Sequence, residues 1–227
     1  MVKDIVSHDI VEEALALAEK CDGGDETLFA SIHSKTEGEV GRVILGTTDA
    51  HLEKLRSNEE AGAYIGEERD AIRVHSRFTT LCEGVACDYD LTEQPFDTSE
   101  FVKNEPNSQG QNDHMDNWQG VWVMMTPLVS KCAITCIKHQ TYQDYPENRG
   151  PNTRVPRNWA SLADIPLTWE VGDLLVMRSN CIHAGPPTGD ERRFLLFASE
   201  QSSRPGEYTD TKVILEADFF ADLPDNS

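Results

Sequence analysis

The sequence has few basic residues and no long apolar segment. Of its 227 residues, 20 are Lys or Arg and 40 are Asp or Glu, which gives a formal net charge of −20. Because nucleic-acid binding depends on cationic side chains that neutralise phosphates, this balance argues against DNA, RNA and anionic membrane surfaces as partners. No apolar run approaches the roughly 18 residues that a membrane-spanning helix needs. We therefore expect a soluble protein that binds neither nucleic acid nor membrane.

Cysteine is too scarce for a disulfide scaffold, since the chain has only six and small secreted domains carry them far more densely. The first residues, MVKDIVSHDIVEE, have acids where a signal peptide has an apolar stretch. These features predict a reduced, intracellular protein, in the cytoplasm. The sequence also contains no GxGxxG, P-loop or GxSxG pattern, which argues against dinucleotide-binding, nucleotide-binding and serine-hydrolase functions.

Helical patterns are confined to the first third of the chain. Residues 9–20 (DIVEEALALAEK) place apolar side chains on one face, with acids early and a lysine late, as the helix dipole favours. A short strand is predicted over residues 40–45. A second helix is predicted over residues 49–70, where Thr or Asp can cap its start.

From residue 71 the pattern changes to that of strands. Residues 71–81 (AIRVHSRFTTL) alternate in the manner of a half-buried strand. No helical pattern separates the later strands, so a parallel βαβ sheet is disfavoured and an antiparallel sandwich or open barrel is favoured. Two long connections, residues 84–112 and 140–166, are equally typical of binding loops and of solvated surface. The later strands are predicted at residues 120–126, 132–138, 167–169, 173–177, 193–199 and 211–216.

The candidate catalytic residues are His114 and Asp116, two positions apart, and His183 far downstream. In an extended segment, residues two apart project to the same side, because strand side chains alternate with a period of two. One metal ion can then bind both His114 and Asp116, and a histidine from a distant antiparallel strand can complete a facial triad. Two histidines and one carboxylate are typical of non-heme Fe(II) oxygenases, which leave positions open for co-substrate and dioxygen.

The surroundings of these residues resemble a known family. His114-Met115-Asp116, the run GDLLVMRSNCIHAGPP and the following RRFLLF are together similar to the 2-oxoglutarate/Fe(II)-dependent dioxygenases, especially the phytanoyl-CoA dioxygenase-like branch. The chain departs from that branch at CAITCIKHQ, where its members have a Gly-rich turn and Pro-Gly-Ser-His. The resemblance covers residues 70 to 200 and implies a mainly β fold, a double-stranded β-helix (a jelly roll, as in cupins). A single domain, 1–227, is expected, with a helical N-terminal layer over residues 1–70 and the jelly-roll core over residues 71–216.

The resemblance also implies iron ligation by His114, Asp116 and His183, and a basic residue that binds the far carboxylate of 2-oxoglutarate. Arg192 and Arg193 both fit its spacing, and arginine suits the role because its planar, permanently charged guanidinium binds a carboxylate through two parallel hydrogen bonds. Strand alternation allows only one of them to face the interior, and the sequence leaves open which. The hydroxyls of Thr126 and Thr135 are candidate partners for the same carboxylate.

The function implied is that of an enzyme that uses Fe(II), 2-oxoglutarate and O2, with ascorbate as a candidate reductant. It would hydroxylate or otherwise oxidise a C–H bond of a small molecule, an amino acid or a peptide. Two alternatives stay open: a cupin-type metal dioxygenase or isomerase that does not use 2-oxoglutarate, and a non-catalytic jelly-roll binding module. The oligomeric state is not encoded in any pattern that we find.

Acidic residues are concentrated just before the metal motif. Between Glu83 and Asp116 there are nine acids and a single base, Lys103. A negative field at the mouth of a site attracts cationic substrates and repels acyl-CoA thioesters, so we expect an amine, a basic amino acid or a basic peptide as substrate. The alternative is a solvated acidic surface that maintains solubility.

Overall fold

The computed structural model of the chain describes residues 1–23, 31–32, 42–48, 65–108, 110, 114–115, 121–129, 132–137, 164–179, 181, 183–190, 193–201 and 213–214. Within these ranges the helices are α1 (His8–Gly23) and α2 (Ile65–Asp88). The strands are β1 (Ser31–Ile32), β2 (Arg42–Thr48), β3 (Phe96–Asn104), β4 (His114–Met115), β5 (Trp122–Pro127), β6 (Cys132–Ile137), β7 (Asp164–Trp169), β8 (Leu175–Arg178), β9 (His183–Ala184), β10 (Arg193–Glu200) and β11 (Val213–Ile214).

The strands form two antiparallel sheets. The larger sheet has the order β1-β2-β3-β10-β5-β8, and the smaller has the order β11-β4-β9-β6-β7. Strands far apart in sequence are neighbours in both sheets; β10, for example, lies between β3 and β5. The mainly β, antiparallel architecture predicted from the sequence is confirmed.

Alternation along β10 separates two hydrophobic cores. Leu195 packs into an interior cluster whose members come from both sheets, whereas Phe194 and Leu196 pack on the opposite face of the larger sheet, beneath the helices. Full burial of one such large apolar side chain contributes about 1.5–3 kcal/mol. The interior cluster, which lies between the sheets, consists of Val102, Val123, Met125, Cys132, Trp169, Leu175, Met177 and Leu195. We call the sheet faces that carry it the interior faces.

The two helices cover the outer face of the larger sheet. Leu17 of α1 and Phe78 of α2 are buried there, and Arg77 joins the helices by ion pairs with Asp9 and, at 2.9 Å, with Glu13. Hydrogen bonds from Ser7 and Arg77 lower the pKa of Asp9 to about 2. The predicted helix over residues 9–20 is confirmed. In the described part of the chain, neither helix combines the length and apolarity that crossing a bilayer requires.

The predicted strand over residues 71–81 is wrong, because this segment belongs to α2. Its buried apolar residues are Val74, Phe78, Cys82 and Val85, spaced by three or four positions as one face of a helix requires. Within residues 71–81, Ile72, Val74 and Phe78 also satisfy a period of two, so the pattern in this segment is ambiguous. The boundary predicted at residue 71 therefore falls inside α2. Of the helix predicted over residues 49–70, positions 65–70 are helical and the remainder lies outside the described residues.

Helix α2 ends in a turn that its sequence explains. Asp90 adopts a left-handed conformation with φ of 52°, which aspartate tolerates better than most residues. The Leu91 N–H donates to the Ala86 carbonyl at 2.9 Å, and the Asp90 N–H donates to the Cys87 carbonyl at 3.2 Å. This pair of bonds is a Schellman cap, and it turns the chain from the helical layer into the larger sheet.

Strand β3 is absent from the sequence-based prediction, which assigned residues 84–112 to a connection. The strand has nine residues, FDTSEFVKN, and pairs with β2 and β10. Only three of its residues are apolar, and they do not alternate. Its outer face carries a polar contact, in which His75 Nδ1 of α2 and Ser99 Oγ lie 2.8 Å apart. A strand that contacts a helix through polar side chains is therefore not recognised from a pattern of alternating apolar residues.

The N-terminal residues are attached to the turn between β7 and β8. Val2 pairs with Leu174 in an isolated bridge. The buried carboxylate of Asp173 forms an ion pair with Lys3 and accepts a hydrogen bond from the Asp4 N–H at 3.2 Å. The same carboxylate accepts the Glu170 N–H at 3.0 Å, so it also closes its own turn.

Candidate metal and co-substrate site

The two histidines predicted as metal ligands are direct neighbours in the smaller sheet. His114 of β4 and His183 of β9 are paired Cα partners in an antiparallel arrangement. Such partners lie about 4.5–5.5 Å apart and share one face of a sheet. On the other side of β9, His183 pairs with Cys136, four positions from Cys132 of the interior cluster. Both histidine positions therefore lie on the interior face.

The ring of His183 is oriented by a backbone contact. Its Nδ1 lies 2.9 Å from the carbonyl oxygen of Cys181. A carbonyl only accepts hydrogen bonds, so Nδ1 must carry the proton, which leaves the lone pair of a neutral ring on Nε2. The side chain is only 5% exposed. This arrangement of a buried ring with a fixed tautomer is typical of metal-binding histidines.

The third predicted ligand, Asp116, lies outside the described residues. Among the residues that are described, no three His, Cys, Asp or Glu side chains form a group that could hold a metal ion. The position of Asp116, two residues after His114, keeps it on the same face only if β4 continues extended. Its role as a ligand stays a prediction.

Of the two arginines predicted to bind 2-oxoglutarate, Arg193 is at an interior position. It precedes Leu195 by two residues on β10 and therefore shares its face. Arg192 lies outside the described residues. In the register of the larger sheet, Arg193 pairs with Asn104 of β3. The structure thus places an arginine and an amide side by side at the interior end of β10.

Two observations describe the surroundings of Arg193. Its Nε is buried and has no hydrogen-bond partner among the described residues. Burial raises the pKa of the Cys132 thiol to about 12, and the positive charge of Arg193 acts in the opposite direction. Cys132 belongs to the smaller sheet, so the guanidinium acts across the interior between the two sheets. A buried N–H without a partner is costly, and a bound carboxylate would satisfy it.

The two threonines predicted to assist Arg193 are not brought to it. Thr126 is fully buried, but it pairs with Leu196 and shares the outer, helix-side face. Thr135 pairs with Ala184 and Pro166, one position out of phase with the Cys136–His183 pair, so its position is on the outer face of the smaller sheet. The sequence predicts the strand on which each threonine lies, but not which face of the sheet it occupies. Asn104, which the sequence analysis missed within an assigned connection, is the polar residue beside Arg193.

The described acidic residues between Glu83 and Asp116 do not all lie on the interior face. Glu83 and Asp88 belong to α2, which lies on the helix-side face of the larger sheet. Glu100 of β3 pairs with Phe197 of β10, a residue that packs against the interior cluster. Position 100 is therefore an acidic position on the interior face, and Asp113 and Asp116 lie outside the described residues.

Comparisons with known proteins agree on the fold. No protein-family model matches the sequence, and no curated protein matches it. Among solved structures, the epimerase SnoN in complex with Fe3+, alpha ketoglutarate and nogalamycin RO has a TM-score of 0.61 at 16% identity, over 100% of this chain and 85% of SnoN. The non-heme alpha ketoglutarate dependent carbocyclase SnoK from nogalamycin biosynthesis has a TM-score of 0.61 at 15% identity, over 91% of this chain and 81% of SnoK.

A Pseudomonas putida prolyl-4-hydroxylase has a TM-score of 0.52 at 13% identity, over 88% of this chain and 91% of the hydroxylase. The chain therefore shares the fold of these three enzymes, which is the fold that the sequence resemblance implied. The phytanoyl-CoA dioxygenase-like branch stays a prediction. The neighbours include an epimerase, a carbocyclase and a hydroxylase, so the fold alone does not determine the reaction.

Proposed function

We propose that this protein is an Fe(II)- and 2-oxoglutarate-dependent oxygenase that oxidises a C–H bond of its substrate. The observation that carries the proposal is the pairing of His114 with His183 on the interior face, in a fold shared with SnoN and SnoK. Two histidines at one register position of adjacent strands can bind the same ion, and the sequence supplies Asp116 beside the first.

The residues of the site fit an Fe(II) ion. His183 would bind it through Nε2, because Nδ1 donates its proton to the Cys181 carbonyl. His114 and Asp116 would complete a facial triad, which leaves coordination positions open. Bound there, Fe(II) would supply the O2-dependent oxidising chemistry in which 2-oxoglutarate is converted to succinate and CO2 and one oxygen atom is added to the substrate.

The position of Arg193 fits the co-substrate. A carboxylate bound to the guanidinium would accept from the buried Nε that has no partner among the described residues, and Asn104 stands beside it in register. Cys132, which experiences the charge of Arg193, and Cys136, the partner of His183, are four residues apart on β6, or roughly 13 Å along the strand. Side chains that extend from the two ends of this span leave room for a short diacid.

The interior cluster would keep the reacting groups dry. Met125, Trp169 and Leu195 are buried between the sheets, on the interior faces that also carry the two histidine positions and Arg193. An apolar lining lowers the local dielectric constant, which strengthens the contact between guanidinium and carboxylate. It also limits the access of water to reactive species.

The acidic stretch that precedes the metal motif favours an amine, a basic amino acid or a basic peptide as substrate. Within this stretch, position 100 shares the interior face with Phe197. We therefore propose a cationic substrate, with Glu100 as an acidic residue that attracts it.

Oxygen uptake by the purified protein, loaded with Fe(II) under argon and then exposed to O2 with ascorbate, tests the proposal. We expect uptake that requires 2-oxoglutarate and yields succinate, even without the substrate, at the slow rate of uncoupled turnover. Uptake independent of 2-oxoglutarate would favour a cupin-type enzyme. Tight Fe(II) binding without uptake across amines, amino acids and peptides would favour a binding module.

A further inference from the structure

Two loops beside the candidate metal site are joined by hydrogen bonds. Residues 105–108 follow β3 and precede His114 in the sequence, and residues 185–189 follow His183. The Ser108 N–H donates to Thr188 Oγ1 at 2.9 Å, and the Thr188 N–H donates back to the Ser108 carbonyl at 3.1 Å. One residue further out, the Asn107 N–H donates to the Gly189 carbonyl at 2.8 Å.

The hydroxyl of Thr188 uses its full hydrogen-bonding capacity in this contact. It donates to the Glu105 carbonyl at 2.6 Å. Because a hydroxyl has one proton and two acceptor lone pairs, the Ser108 Oγ, 2.9 Å away, must donate to Thr188 Oγ1, as the Ser108 N–H also does. Thr188 Oγ1 therefore forms hydrogen bonds with three groups: the Glu105 carbonyl, the Ser108 N–H and the Ser108 hydroxyl.

The contact is buried and closely packed. Ser108 and Thr188 are 7% and 6% exposed, so water cannot readily replace the bonds between them. A Cβ at Gly110 would lie 3.0 Å from Pro187 Cδ and 3.4 Å from the Gly185 carbonyl oxygen. The two backbones thus approach more closely than a side chain at position 110 would allow.

The contact lies close in sequence to both histidines. The strands that carry them, β4 and β9, pair with each other through His114 and His183. Ser108 lies a few residues before His114, and Thr188 lies a few residues after His183, so a fixed Ser108–Thr188 contact restricts how far the two histidines can shift apart.

We propose that Thr188 is a positioning residue that holds His114 and His183 in register for metal binding, with Ser108 as its partner. The inference rests on the proposed function, since it concerns the same metal site. Thr188 does not touch the ion in this proposal; it acts through the two loops. Residues that orient metal ligands in this way typically change metal affinity by 10–100-fold when they are substituted.

The test compares Fe(II) affinity and metal-free stability in a set of variants. Thr188→Val keeps the shape of the side chain but removes its hydroxyl, and we expect about 10–100-fold weaker Fe(II) binding in anaerobic titrations. Thr188→Ser keeps the hydroxyl and should bind Fe(II) nearly as tightly as the unmodified protein. Ser108→Ala removes one of the three bonds to Thr188 Oγ1, so it should lie between them; it also serves if Thr188→Val does not fold.

Thr79→Val is the matched control. Thr79 is buried to the same degree, and its hydroxyl donates to the His75 carbonyl within α2, at 3.0 Å, away from the metal site. We expect this variant to change the melting temperature of the metal-free protein without changing its Fe(II) affinity. If Thr188→Val weakens Fe(II) binding no more than Thr79→Val does, Thr188 is a stability element alone and the inference is wrong.

The same titrations separate this inference from the proposed function. If the unmodified protein binds Fe(II) and Thr188→Val binds it equally well, only the positioning role of Thr188 is overturned. If the unmodified protein does not bind Fe(II), and its melting temperature is unchanged by Fe(II), the proposed function fails and the positioning role fails with it.

Discussion

His114 and His183 are direct partners across β4 and β9, although they are far apart in sequence. Their proximity exists only when the smaller sheet is formed, so an ion that binds both must bind the folded chain in preference to the unfolded one. Metal binding and folding are then linked. Fe(II) should therefore raise the melting temperature of the protein, by an amount that grows with the logarithm of the ratio of Fe(II) concentration to its Kd.

Loss of any one ligand should abolish this effect. We expect His114→Ala, Asp116→Ala and His183→Ala each to eliminate turnover and the Fe(II)-dependent rise in melting temperature, because the three ligands act as one unit. His8→Ala is the control, since His8 is exposed at the start of α1, in the helical layer that covers the outer face of the larger sheet. Unchanged Fe(II) affinity in any of the three ligand variants would show that the triad is misassigned.

The two adjacent arginines should differ sharply. Arg193 is on the interior face and its Nε is buried, so Arg193→Met should raise the KM for 2-oxoglutarate by orders of magnitude, at a cost on the order of 2–5 kcal/mol. Arg192→Met should change it little, with under about 1 kcal/mol lost, because alternation turns neighbouring residues to opposite faces. Steady-state succinate formation at varied 2-oxoglutarate measures both. Equal, small effects would place the carboxylate anchor elsewhere.

Substrate charge can be tested by ionic strength. If Glu100 and its acidic neighbours attract a cationic substrate, kcat/KM should fall as salt is raised, since screening weakens long-range attraction. Glu100→Gln should lower kcat/KM for a cationic substrate and reduce this salt dependence, whereas Asp88→Asn, in α2, should do neither. An anionic substrate, or a kcat/KM insensitive to salt, would contradict electrostatic selection.

Acid should release the N-terminal attachment. Burial raises the pKa of Asp173, but the contacts with Lys3 and the backbone N–H groups of Glu170 and Asp4 outweigh it, so the pKa is lowered from 3.8. The stabilisation is thus complete above about pH 3.8 and is lost as the pH falls through the lowered value. Asp173→Asn should melt at a lower temperature near neutral pH, and its difference from the unmodified protein should shrink in acid.

The exposed Asp190 provides the comparison, because Asp190→Asn should have little effect on melting at either pH. Thermal denaturation followed by circular dichroism between neutral pH and pH 3 measures both variants. A constant difference between Asp173→Asn and the unmodified protein across this range would exclude a titrating contact at Asp173.

The sequence predicted the residue types of the site more readily than their positions. The types and spacing of His114, Asp116 and His183 predict a facial triad, and the structure pairs two of these residues, His114 and His183. Thr126 can face Arg193 only if both lie on the same face of the larger sheet. Which residues of β5 lie on that face is determined by the side of the sheet that the helices cover. That information lies in the contacts of α2 with the larger sheet, not in the neighbourhood of Thr126.

The same limit explains the errors in the fold. In residues 71–81 a period of two and a helical period coexist, and burial of Phe78 against the larger sheet decides between them. β3 carries few apolar residues, and its pairing with β2 and β10 defines it as a strand. The strand predicted over residues 193–199, which has a strong apolar run, agrees with β10 to within one residue at each end.

The alternation along β10 has an evolutionary consequence. Phe194, Leu196 and Ala198 pack under the helices, where other apolar combinations of similar volume fill the same space. If Arg193, on the opposite face of the same strand, binds 2-oxoglutarate as proposed, that contact restricts its substitution. In a set of related sequences, we then expect the even-numbered positions of β10 to vary together with α1 and α2. Its odd-numbered positions should vary only when the co-substrate or the substrate changes.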